Sequence, residues 1–116
     1  MKKTLLITRQ SPYRSHLARG ALDAALAAAV FEQDVTLLFM DDGVWQLTGE
    51  QQPEAAYTKS LEKTLRSLEL YDLEKLYFEQ SAVVARGLNS EDFCVHCVPV
   101  TDTGSFIDSF DVVWSF

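Results

Sequence analysis

Residues 5–40 decide the fold, because two apolar runs, Leu5-Leu6-Ile7-Thr8 (LLIT) and Val35-Thr36-Leu37-Leu38-Phe39-Met40 (VTLLFM), flank an alanine-rich segment that reads ALDAALAAAVF at 21–31. The flanking runs are apolar without strict alternation, which is typical of strands covered on both faces. Alanine and leucine favour helix, so residues 17–32 are predicted to be helical. A strand, a helix and a strand in this order predict a right-handed crossover between parallel strands.

The remaining strands follow from three more short apolar runs, at Leu76–Phe78, Phe93–Val98 and Val112–Trp114. Strands that alternate with helices over such short connections predict an α/β fold with a mostly parallel sheet of about five strands. We therefore expect a single three-layer domain over residues 1–116, of the flavodoxin-like or Rossmann-like kind.

The other helices are marked by their boundary residues. Pro53–Leu70 predicts a second long helix, since Pro53 suits the first helical position. Ser81 as a cap and Gly87 as a stop predict a short helix over Ala82–Arg86, and Asp102 predicts the start of a helical turn that reaches Phe110. We expect these elements to cover the sheet.

Length and charge limit the function. A chain of 116 residues with 47% apolar residues can bury one core without a disulfide or a metal. Its 10 Lys and Arg against 17 Asp and Glu give a net charge of -7, which opposes contact with phosphate backbones, so direct nucleic-acid binding is not expected. The apolar runs are too short for a secretory signal or a membrane span, which predicts a cytoplasmic protein with no membrane association.

A CxxC motif, Cys94-Val95-His96-Cys97, is the most prominent chemical signal. Such a motif marks a redox pair or half of a zinc site in other proteins. Here it falls in the predicted strand Phe93–Val98, where residues three apart point to opposite faces of a sheet. Beyond His96 the chain has only the distant His16 as a further histidine ligand, so we expect inert core cysteines and no metal.

Two polar loops follow the first two predicted strands. Arg9, Arg14 and His16 suit an anion or an acidic partner, although no glycine-rich phosphate loop is present and a solvated basic loop is the alternative. Asp41-Asp42-Gly43 predicts a tight turn with Gly43 at positive φ. Its two acids suit a metal or acid–base chemistry, but adjacent acids on a turn are more often only solvated.

Large apolar residues in this half of the chain suggest contact with another chain. The predicted first helix is apolar nearly all round, with Asp23 as its only polar residue between 21 and 31, so we expect more than the sheet to cover it. The alternative is that its alanines are neutral, helix-forming surface residues. Trp45 is predicted to lie in a loop, as a core plug or an interface residue. Phe31 and Trp45 are therefore the candidate interface residues.

The order and spacing of several segments resemble the TusC/DsrF family over essentially the whole chain. The segments are Gly20–Leu26, Asp42–Leu47, Leu70-Tyr71-Asp72, Arg86-Gly87-Leu88 and Phe110–Val113. The resemblance implies a DsrE/F/H-like fold and a place among the sulfur-relay proteins.

In that family TusB-like, TusC-like and TusD-like subunits form a heterohexamer that passes persulfide sulfur from TusA-like to TusE-like carriers, for 2-thiolation of the tRNA wobble uridine. Related DsrEFH complexes serve sulfur oxidation. The family's sulfur-carrying cysteine lies just after the third strand of the TusD/DsrE subunit, eight residues before an Arg-Gly glycine. Counted back from Gly87, that position holds Glu79.

A carboxylate cannot carry a persulfide. The resemblance thus implies a non-catalytic subunit with no cofactor, whose sulfur-carrying cysteine lies on a partner subunit. The alternative from the residues alone is a stand-alone flavodoxin-like module that binds an anion or uses its own thiols.

Overall fold

The computed structural model describes residues 3–10, 17–30, 34–48, 65–68, 73 and 75–116. These residues form five strands, β1 (Lys3–Thr8), β2 (Asp34–Phe39), β3 (Leu76–Glu79), β4 (Val98–Val100) and β5 (Val112–Ser115). All the strand pairs are parallel, in the order β4-β3-β2-β1-β5. The α/β class and the parallel five-stranded sheet predicted from the sequence are confirmed.

Helices cover both faces of the sheet. The helices are α1 (Leu17–Val30), a 3-10 helix (Asp41–Thr48), α2 (Gln80–Ala85), a 3-10 turn (Ser90–Asp92) and α3 (Thr103–Asp108). Residues 65–67 are also helical, which agrees with the predicted helix Pro53–Leu70 at its end, while most of that prediction lies outside the described residues.

Two apolar clusters form the core, one on each face. On the α1 face, fully buried side chains of the central strands, such as Leu37 and Phe39, pack with residues from α1, the 3-10 helix and α2. On the α3 face, Leu5, Ile7 and Leu38 pack with residues of α3. Burying each such side chain stabilises the fold by roughly 1.5–3 kcal/mol, so the two clusters fix the sheet between its helical layers.

The strand predicted over Phe93–Val98 is wrong. The chain bends at Cys94 and Val95, and β4 begins only at Val98. β4 contains Pro99, which lacks the N–H that a central strand needs, and it is tolerated because β4 lies at an edge of the sheet. The CxxC motif therefore lies in a loop rather than in a strand.

Turn geometry at the end of β2 also differs from the prediction. Positive φ belongs to Asp41 (48°) and not to Gly43. Gly43 is required for space, since a Cβ there would lie 2.1 Å from the carbonyl oxygen of Thr8. Trp45 lies in the 3-10 helix and not in a loop.

The boundaries of the two short helices are partly as predicted. α2 begins at Gln80, with Glu79 rather than Ser81 at its N-cap. Gly87 does stop it, at φ 66°, where the N–H of Gly87 donates to the carbonyl of Val84 and that of Leu88 to the carbonyl of Val83. α3 ends at Asp108 instead of Phe110.

At the start of α3 the Asp102 cap is confirmed. Its carboxylate accepts hydrogen bonds from the backbone N–H and the hydroxyl of Ser105, at 3.1 and 3.0 Å. These bonds hold the pKa of Asp102 below its usual 3.8.

Candidate functional site at the carboxyl edge of the sheet

The polar residues that follow β1, β2 and β3 meet at one edge of the sheet, because the strands are parallel. Arg9 and Gln10 follow β1, Asp41 and Asp42 follow β2, and Glu79 ends β3. The carboxyl edge of an open α/β sheet is where such proteins bind ligands. We therefore take this edge as the candidate site.

Glu79 occupies the junction between β3 and α2. One carboxylate oxygen, Oε1, accepts a hydrogen bond from the backbone N–H of Asp41 at 3.2 Å. Asp41 is the residue at φ 48°, so the bond supports a turn that an L-residue adopts only at a cost. The position counted from Gly87 thus lies at the end of the third strand, and its side chain braces the neighbouring strand's turn.

Asp42 forms an ion pair with Arg86. Its Oδ1 accepts from Nε and Nη2 of Arg86 at 3.1 and 2.9 Å, while Nη1 of Arg86 donates to the carbonyl of Ala82 at 3.1 Å. The pair links the 3-10 helix to the end of α2. The two acids of the turn are thus both used internally, Asp42 by its side chain and Asp41 by its backbone.

A metal site at this edge has no support from the geometry. Within residues 3–10, 17–30, 34–48, 65–68, 73 and 75–116, no three His, Cys, Asp or Glu side chains converge as a metal-binding group. Arg86 already neutralises Asp42. The metal or acid–base interpretation of Asp41 and Asp42 therefore has no support among the described residues.

Gln46 is a polar residue of this edge that the sequence did not single out. It is buried, and its Nε2 donates to Thr8 Oγ1 and to the carbonyl of Gln10, both at 2.8 Å. The two bonds fix the start of the loop after β1. No local pattern marks Gln46, since its partners lie 36 and 38 residues away.

The basic loop is only partly described. Arg9 is exposed, and its backbone N–H donates to the carbonyl of Phe116 at 3.1 Å. Arg14 and His16 lie outside the described residues. The anion site predicted from these three residues stays a prediction.

The CxxC loop packs beside the 3-10 helix. The N–H of Cys94 donates to the carbonyl of Leu47 at 2.8 Å, and the Phe93 ring meets the Phe78 ring edge to face at 5.2 Å. Both cysteines are half-buried and no disulfide joins them. Burial, and the Cys94 thiol nearby, raise the pKa of Cys97 to about 12.

An open cavity of about 380 Å³ adjoins this loop. It is lined by Arg66, Ser90, Phe93, Cys94, Val95 and His96. Cys94 thus lies in the cavity wall, whereas Cys97 is not among the lining residues. The expectation that two sulfurs point to opposite faces of a sheet is wrong, because the motif does not belong to a strand.

The structure describes only one of the two candidate interface residues. Phe31 lies outside the described residues, and Trp45 is half-buried within the 3-10 helix. The structure adds Trp114 on the edge strand β5, which is 60% exposed. Trp114 borders an apolar groove of about 400 Å³ between α1 and β5, with Ala24 and Ala28 of α1 in its wall.

A small parallel α/β sheet with its polar groups gathered at the carboxyl edge defines the class of flavodoxin-like and Rossmann-like domains. Within that class, the sequence model of the DsrE/DsrF-like family matches residues 2–111, and the chain belongs to this family.

Several known proteins are similar to this chain. It is 38% identical over 92 residues to the intracellular sulfur oxidation protein DsrF of Allochromatium vinosum, an alignment that covers 79% of this chain and 68% of that protein. It is 40% identical over 87 residues to a TusC homolog of Pseudomonas aeruginosa, covering 75% and 73%. It is 33% identical over 103 residues to a TusC homolog of Vibrio vulnificus, covering 89% and 86%.

A solved structure agrees with the fold. The crystal structure of the ychN protein from E. coli superimposes over 100% of both chains with a TM-score of 0.83, at 22% identity. At that identity the likeness speaks for the fold alone. Across the described ranges, no helix combines the length and apolar character needed to cross a bilayer.

Proposed function

We propose that this chain is a non-catalytic subunit of a TusBCD-type sulfur-relay complex in the cytoplasm. The complex would pass persulfide sulfur from a TusA-like to a TusE-like carrier, toward 2-thiolation of the tRNA wobble uridine. The observation that carries the proposal is the similarity to TusC homologs together with Glu79 at the end of the third strand.

The surroundings of Glu79 support a structural role for its side chain. A carboxylate cannot form a persulfide, and this one is hydrogen-bonded to the backbone of Asp41. The two cysteines of the chain lie on the loop before β4 and not at the junction of β3 and α2. The sulfur-carrying cysteine therefore belongs to a TusD-like partner in this proposal.

Partner subunits would cover apolar surface that this chain leaves open. Trp114 and the groove beside α1 form a patch at the edge strand β5, which we call the β5 patch. The unpaired side of an edge strand and an exposed tryptophan are typical of surfaces that bind other chains. We assign the β5 patch to a homologous TusB-like or TusD-like subunit, in keeping with the apolar character of α1.

Sulfur oxidation is the second candidate, because one relative at 38% identity is named an intracellular sulfur oxidation protein. Both candidates place the chain in a hetero-oligomer with homologous subunits. They differ in what receives the sulfur.

Native mass spectrometry of the tagged chain, purified gently from its own cells, tests the assembly. We expect six subunits, with two further small homologous chains present in amounts equal to this one. The complex should contain no RNA, because the net charge of -7 disfavours direct contact with tRNA. A monomer or a homo-oligomer as the only species would contradict the proposal.

A further inference from the structure

The CxxC loop places one cysteine in the wall of an open cavity and a second cysteine, outside that wall, three residues later. Cys94 lies in the wall of the open cavity, and Cys97, which does not line the cavity, directly precedes β4. The chain bends at Cys94 and Val95, which shortens the span between the two residues relative to an extended strand. A CxxC redox pair needs this arrangement, in which one thiol attacks and the second resolves.

Both ends of the loop are held in place. At its start, Cys94 is bound through its N–H to Leu47, and Phe93 packs on Phe78. At its end, Val98 pairs with Tyr77 in the sheet. The cysteines are thus fixed on a short segment between two anchored points, so their separation does not depend on a mobile chain.

The cavity suits the attacking step. The side chains of Arg66, His96 and Ser90 line it together with Cys94, so an anionic thiolate there has cationic and hydrogen-bonding groups nearby. Cys97, by contrast, does not line the cavity, and its burial disfavours the thiolate. Its raised pKa keeps it protonated at neutral pH, as suits a thiol that acts second.

We infer that Cys94 and Cys97 form a reversible intrachain disulfide, with Cys94 as the attacking thiol and Cys97 as the resolving thiol. The oxidant is a small-molecule disulfide of the glutathione class. The Cys94 thiolate attacks one sulfur of the oxidant, whose S–S bond breaks and releases one thiol. Cys97 then loses its proton to solvent and attacks the Cys94 sulfur, which releases the second thiol. The two cysteines lose two electrons and the oxidant gains them.

The inference goes beyond the proposed relay function and does not depend on it. In a reducing cytoplasm such a bond would be transient and would act as a redox-sensitive modification of this loop. The loop contacts the end of the 3-10 helix through Cys94, so oxidation acts next to the element that carries Asp42 and Gln46.

Glutathione disulfide and mass spectrometry of the folded full chain test the inference. We expect the wild type to lose two hydrogen atoms without retaining glutathione, and dithiothreitol to restore the original mass. Because the chain has only these two cysteines, the mass assigns the bond without ambiguity. A stable glutathione adduct on the wild type, or no reaction of the folded chain, would overturn the inference.

Two single variants test the order of attack. Cys97→Ala should stop at a glutathione adduct on Cys94. Cys94→Ser should react at least about tenfold more slowly than Cys97→Ala while folded, because burial raises the pKa of Cys97 and leaves it little thiolate at neutral pH. Equal melting temperatures for the variants and the wild type confirm folding, and equal rates would contradict the assigned order.

Discussion

Gly43→Ala is expected to destabilise the protein by about 3 kcal/mol or more, a large fraction of the roughly 5–15 kcal/mol by which a native domain is ordinarily stable. The added Cβ would lie 2.1 Å from the carbonyl oxygen of Thr8 and 2.8 Å from its carbon. Both atoms belong to the backbone, and the same carbonyl accepts the N–H of Met40 at 3.0 Å, so it cannot rotate away without breaking the ladder between β1 and β2.

Gly20→Ala is the matched control. A Cβ at Gly20 meets no atom within 4 Å, and the residue lies inside α1, where alanine is preferred over glycine by about 0.5–1 kcal/mol. Urea unfolding followed by circular dichroism should thus give opposite signs for the two substitutions. A Gly43→Ala protein within about 1 kcal/mol of wild type would contradict the close approach of β1 and the 3-10 helix.

Trp114→Ala is expected to weaken binding to the partner subunits by about 2 kcal/mol, which is roughly a 30-fold rise in Kd. The side chain is 60% exposed in the isolated chain, so its truncation should cost little folding stability. Val84→Ala is the control, since Val84 is also an exposed apolar residue, at 65%, but lies on α2 and not in the β5 patch.

Titration of the reconstituted partner subunits onto each variant measures the effect. Equal Kd values for Trp114→Ala and Val84→Ala would show that the β5 patch is not part of the interface.

Trp45→Ala is also expected to weaken assembly, by about 2 kcal/mol or more if Trp45 is a hot spot. Trp45 is half-buried, so the melting temperature of that variant has to be compared first.

The β1–α1–β2 unit was predictable because its signals are local. Apolar runs without alternation mark buried parallel strands, and an alanine-rich segment between them marks a helix, which together fix topology. The stop at Gly87 and the cap at Asp102 were predictable for the same reason, since each depends on the conformation of one residue and its near neighbours.

The CxxC segment was misplaced because β-forming residues occur on both sides of the true boundary. Phe93 and Val95 favour a strand, whereas Pro99 disfavours one, yet Val98–Val100 is the strand because an edge position tolerates proline. Which strand lies at an edge depends on the order of the whole sheet, which no local pattern contains.

The contacts of the candidate site were also beyond the sequence. Glu79 is hydrogen-bonded to Asp41, 38 residues away in the sequence, and Arg86 is hydrogen-bonded to Asp42, 44 residues away. Gly43 was singled out, but for its backbone freedom rather than for the approach of Thr8. These long-range contacts, and the requirement for glycine at position 43, arise only when β1, β2 and β3 lie side by side in the folded sheet.

The location of the sulfane sulfur in the assembled complex tests the central claim most directly. The complex, loaded by its upstream persulfide donor, is alkylated with a reagent that preserves persulfides, and each chain is then analysed by mass spectrometry. We predict the added sulfur on a cysteine of a partner chain and none on Cys94 or Cys97 of this one. A persulfide on either of these two cysteines during transfer would contradict the assignment of this chain as a non-catalytic subunit.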